Sequence, residues 1–118
     1  MSISALAAVV ASLALSGGPA LAAAPNDELC DTEVSAPTYQ AGTIIYSGGV
    51  RCVARADITV TVELEMDGSL VADTENSCDA FSCFDTGFYP NRSGNQRWCT
   101  VVRAVNLVPA RRCENAGF

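Results

Sequence analysis

Two hydrophobic patterns divide the chain. Between Met1 and Ala24 there is no charged residue, and Ile3 to Leu15 form an apolar run broken only by serines. Further on, the pattern alternates. Ile58, Val60, Val62 and Leu64 are interleaved with Thr59, Thr61 and Glu63, the period-two signature of a half-buried strand. Trp98, Thr100, Val102 and Ala104 alternate with Cys99, Val101, Arg103 and Val105 in the same way. Thr43 to Val53 predicts a third strand with a bulge at Gly48-Gly49, and Arg111 to Phe118 a returning final strand.

Turn signals fall between these stretches, at Pro37, at Gln40-Ala41-Gly42 and from Asn106 to Ala110. Met66-Asp67-Gly68 predicts a hairpin whose loop length can be chosen by register. A two-residue loop pairs Glu65 with Leu70 and splits the apolar positions between faces. A three-residue loop with a bulge at Gly68 pairs Leu64 with Leu70 and keeps them together, so this longer loop is expected. Asp73 to Cys83 reads as polar and turn-rich, and Phe84 to Asn95 as the longest irregular stretch. No helical stripe exceeds one turn. The sum predicts an all-β fold: a small antiparallel, immunoglobulin-like β-sandwich stapled by disulfides.

The uncharged start is a separate matter. Ser16-Gly17-Gly18-Pro19 ends any helix there, and Ala20-Leu21-Ala22 supplies the small-x-small pattern of a signal-peptidase site. The apolar run is shorter than the roughly 20 residues that span a bilayer. A signal peptide over 1–23 and one domain over 24–118 are therefore expected, with no stable membrane span in the mature chain. A retained anchor is the alternative. The first residues, Met1-Ser2-Ile3-Ser4, lack the basic charge usual in such leaders.

Composition sharpens this picture. The six cysteines, Cys30, Cys52, Cys78, Cys83, Cys99 and Cys113, all follow the leader. An even number in a short exported domain reads as a disulfide framework, and hence as a secreted, extracellular protein. Cys30 and Cys52 are equidistant from Ala41, and Cys99 and Cys113 from Asn106. Two hairpins centred there favour nearest-neighbour pairing, 30–52, 78–83 and 99–113. The rival is a core-spanning Cys52–Cys99 bridge of immunoglobulin type. The chain contains no His, and its seven basic residues are all Arg. Nucleophiles activated by His and Lys-based chemistry are thereby excluded. A net charge of −6 disfavours nucleic acid as a partner.

The order Cys30, Val50-Arg51-Cys52, Ile58-Thr59-Val60-Thr61-Val62, Cys78, Trp98-Cys99 and a terminal Cys113 resembles small exported disulfide-bonded bacterial proteins with no assigned function. The resemblance implies a β fold and export, and points to no site. Secreted α-amylase inhibitors share a strand similar to Thr59–Val62, but their Trp-Arg-Tyr triplet is replaced here by Arg97-Trp98-Cys99.

Candidate chemistry is sparse. Glu63 and Glu65 share a strand face, which paired-acid glycoside cleavage requires but ordinary solvent-facing positions also satisfy. Asp73, Glu75, Asp79 and Asp85 offer oxygens without a recognised calcium spacing. No cofactor is expected. The segment from Cys83 to Cys99 holds Phe84, Phe88, Tyr89 and Arg92, and its end carries Trp98. Phe84 and Trp98 are expected in the core, leaving Phe88, Tyr89 and Arg92 as the candidate binding loop. Asn91-Arg92-Ser93 is also a glycosylation sequon. The expected function is a secreted, non-enzymatic binding or structural module for an extracellular protein or glycan. The alternative is a hydrolase inhibitor that presents Arg92-Ser93 from the Cys83–Cys99 loop.

Overall fold

The computed structural model describes residues 26 and 28–117, so the expected leader lies outside the described residues. Six strands follow one another: β1 (Cys30–Val34), β2 (Thr38–Gln40), β3 (Thr43–Met66), β4 (Ser69–Pro90), β5 (Gln96–Ala104) and β6 (Ala110–Ala116). All pairings are antiparallel, and among the described residues there is no helix. β3 is the spine. One side pairs with β4 along nearly its whole length, while the other carries β2, then β1, then β5, with β6 beyond β5.

The spine is not straight. Between Arg51↔Ser82 and Ala56↔Ala80 the ladder slips, and the four β3 residues 52–55 stand opposite the single β4 residue Phe81. Extra residues in one strand bend it and increase its twist. On the β4 side the bend is closed by Cys78–Cys83, whose Cα atoms lie 5.6 Å apart. Five residues of extended strand would span about 17 Å. β4 therefore folds back on itself here. Across the fold, the Thr74 hydroxyl donates to Asp85 Oδ2 at 2.7 Å, and Asn76 Nδ2 donates to the Phe84 carbonyl at 2.9 Å.

The expected two-sheet sandwich is thus replaced by one continuous sheet that curls into a half-barrel. Its concave side is the core. Ile44, Tyr46 and Val50 come from the first half of β3, Ile58, Val60, Val62 and Leu64 from the second, and Trp98 and Val102 from β5. The halves approach so closely that a Cβ on Gly48 would sit 2.3 Å from Val102 Cγ2 and 2.7 Å from the Glu33 carbonyl oxygen. Glycine is required there by space, not by backbone angle.

The disulfides are Cys30–Cys52, Cys78–Cys83 and Cys99–Cys113, the nearest-neighbour set, with no Cys52–Cys99 bridge. The first and third join residues directly opposite each other in the ladder.

Three local expectations change. The stretches 43–53 and 58–64 are parts of one strand, because the bulged residues 52–55 carry the chain around the bend without leaving the sheet. Both Asp73 to Cys83 and Phe84 to Pro90, expected as turn-rich or irregular, belong to β4. Pairing with β3 supplies the order that their polar composition does not. The β3–β4 loop is the shorter one. Asp67 (φ 51°) and Gly68 (φ 87°) form a two-residue turn with both central residues left-handed, and Met66 faces Ser69. A register shift after Glu65↔Leu70 skips Val71 and brings Leu64 opposite Ala72. The bulge restores the common face that a longer loop was expected to provide, and Leu70 is left outside it, exposed.

Gly48→Ala should lower the unfolding free energy by about 2–3 kcal/mol through overpacking, measured by urea denaturation. Thr100 is fully buried, and its hydroxyl has no hydrogen-bond partner. Thr100→Val keeps the branched shape and removes that orphaned group, so it should raise stability by about 1 kcal/mol in the same assay.

Candidate functional site

Strand alternation sorts the side chains of the first half-sheet onto two faces. Tyr46, Val50 and Cys83 point inward. Their neighbours in sequence point out. On this convex face Phe84 stands opposite Gly49, Thr86 opposite Ser47, and Phe88 opposite Ile45, which in turn faces Thr38 on β2. Phe84 is 38% exposed and Phe88 66%.

Each aromatic is supported differently. A Cβ on Gly49 would lie 2.5 Å from Phe84 Cδ2, so the ring lies across the glycine. The Arg51 guanidinium carbon sits 5.1 Å from the Phe84 ring centroid, within cation–π range. Arg51 Nε also donates to Glu33 Oε2 at 2.9 Å, which fixes the guanidinium between carboxylate and ring. Phe88 has no such brace and stands beside the half-buried Ile45. The result is a convex face with two exposed rings, a fixed cation–carboxylate pair and a row of hydroxyls.

The three predicted site residues do not share a face. Phe88 is on this convex surface. Tyr89 turns inward, its ring centroid 6.2 Å from that of the buried Trp98. Arg92 is exposed in the connection 91–95 between β4 and β5. That connection is all that is irregular between Cys83 and Cys99, and no disulfide closes it, since Cys83 pairs with Cys78 and Cys99 with Cys113. Hydrogen bonds tether it instead, from the Asn91 amide to the Gly42 carbonyl at 3.0 Å and from Gln96 Nε2 to the Ser93 carbonyl at 3.1 Å. Trp98 occupies the core as expected, whereas Phe84 does not.

The carboxylates considered for chemistry have partners. Glu63 pairs with Arg103 and Glu65 with Arg111, across the outer face of the other half-sheet. Asp79 pairs with Arg55, and Asp85 accepts from Thr74. Among the described residues, no three of His, Cys, Asp and Glu gather as a metal site. Two open hollows of about 370 Å³, one at Asp67, Asn95, Gln96 and Arg97 and one at Pro37, Thr38, Tyr39 and Glu114, do not involve the exposed phenylalanines.

Sequence reasoning missed Arg51, Glu33 and the outward position of Phe84. The available signal was parity: in a strand, residues 84, 86 and 88 share one face opposite the inward Cys83. The polar, glycine- and proline-punctuated composition of the segment, which reads as a loop, conceals it.

Inside the bend, burial holds the Tyr46 phenol above its ordinary value near 10, and the charges of Asp73 and Asp85 push the same way. The folded chain keeps this proton to higher pH than the unfolded chain. Its contribution to stability is complete below pH 10 and is lost as pH rises through the folded pKa. Tyr46→Phe should therefore flatten the fall in stability above pH 10, followed by urea denaturation across that window. An unchanged slope would contradict the assignment. No protein-family model, curated protein or solved structure matches the chain.

Proposed function

We propose that this protein is an exported, non-enzymatic binding module that engages an extracellular protein or glycan through the convex face of β3 and β4, with Phe84 and Phe88 as its anchors. The observation that carries this reading is the pair of exposed rings on a disulfide-braced sheet. Aromatic side chains on rigid elements bury large area at low entropic cost, which is what binding anchors require. Three disulfides in a small domain suit an oxidising environment outside the cell, in keeping with the uncharged N-terminal stretch. The non-enzymatic part rests on the lack of His and Lys and on the engagement of Glu63 and Glu65 with arginines.

A second reading, a hydrolase inhibitor, rests on Arg92. The residue is exposed on a short connection tethered near both ends, the presentation a trypsin-like protease would need at Arg92-Ser93.

One experiment separates them. Oxidised protein is immobilised and exposed to culture fluid and envelope extract, in parallel with Phe84→Ala/Phe88→Ala and Arg92→Ala variants. Loss of both anchors should weaken capture by about 30-fold or more, while Arg92→Ala leaves it unchanged. The reverse pattern, with a protease as the captured species, would replace the first reading with the second. Equal capture by all three proteins would remove both surfaces from consideration.

A further inference from the structure

We propose that β6 joins two copies of this chain into an antiparallel dimer about a two-fold axis at Cys113. Among the described residues β6 is hydrogen-bonded only to β5, so the backbone groups of its other edge have no strand partner, while β1 passes near it and Glu114 shares a hollow with Pro37, Thr38 and Tyr39. Such an edge is a template for another strand. What distinguishes β6 is its sequence, Ala110-Arg111-Arg112-Cys113-Glu114-Asn115-Ala116. Set against its own reverse with Cys113 at the centre, Ala110 meets Ala116, Arg111 meets Asn115 and Arg112 meets Glu114. The two-fold axis produces the Arg112–Glu114 pair twice.

The charges are available for this. The ion pairs among the described residues are Arg51–Glu33, Arg55–Asp79, Arg103–Glu63 and Arg111–Glu65, and they use neither Arg112 nor Glu114. Both residues are exposed. They are two apart on one strand and so lie on one face, as cross-strand pairing demands.

The other edges do not fit themselves. β4 carries Asp73, Glu75, Asp79 and Asp85 and no basic residue, and β1 carries Asp31 and Glu33. Two copies joined along either would set carboxylates against carboxylates. Like charge excludes those pairings, and β2, three residues long and uncharged, offers no charge pair of its own, which leaves β6 as the edge with complementary charges. Because Cys113 is already bonded to Cys99, the dimer is non-covalent. With one seven-residue strand from each copy, the interface is at the small end of specific contacts, and dissociation constants of about 10–100 µM are expected.

The test is sedimentation velocity of the oxidised full domain from micromolar to near-millimolar concentration, with circular dichroism as the check on folding. Wild type should pass from monomer to dimer across that range. Arg112→Glu and Glu114→Arg should each weaken association by about tenfold or more, since each change acts at both symmetric positions. The double variant, with the charges exchanged, should return to within about threefold of wild type. Wild type that stays monomeric throughout overturns the proposal. So does association that neither single reversal weakens, or that the double exchange fails to restore, because the contact then lies on another surface.

Discussion

The fold depends on a long β-hairpin being bent double. β3 and β4 together hold 46 of the residues, and a flat two-stranded ribbon of that length has no interior. Bending it at residues 52–55 and Phe81 turns one apolar face upon itself, so that Ile44, Tyr46 and Val50 meet Ile58, Val60, Val62 and Leu64 across a shared core. The Cys78–Cys83 bond holds the inner strand at the crease, and Cys52 lies at the start of the bulge on the outer strand, bonded to β1. Everything else is arranged around that crease. β1 and β2 widen one arm, β5 and β6 widen the other, and Gly48 supplies the clearance that lets the arms close on Val102.

The same crease decides which side chains reach solvent. With one face of each arm turned inward, the other is necessarily convex, and every second residue of β3 and β4 appears on it. On the β5 arm this surface is laced by Arg–Glu pairs. On the β1 arm it carries rings instead, one of them held by Arg51 and Glu33. The convex faces of the two arms thus differ in surface chemistry, ion pairs on one and exposed aromatic rings on the other.

The sequence made some of this readable. Ile58 to Leu64 declared its inward residues by alternation alone, whereas Trp98 to Val102, legible as a strand, is buried throughout. The symmetry of cysteines about Ala41 and Asn106 anticipated the two cross-strand bonds, because direct partners in a hairpin are equidistant from its turn. The crease itself was not readable. Four extra residues in β3 carry no compositional mark, and the polar run around Cys78 suggested a loop when pairing with β3 made it strand. Read as irregular, Phe84 to Asn95 carries no parity, and Phe84 then has no mark to keep it out of the core. At Met66-Asp67-Gly68 the requirement of one apolar face holds, but a bulge at Val71 meets it in place of a longer loop.

The disulfide pattern has a consequence for how the chain matures. Along the chain its bonds run 30–52, 78–83 and 99–113, with none nested in or crossing another. Chains are synthesised, and their segments become available, from the N-terminus onward. Each cysteine is therefore followed by its own partner before a competitor emerges. An oxidant that joined thiols in that order would arrive at the native set without reshuffling.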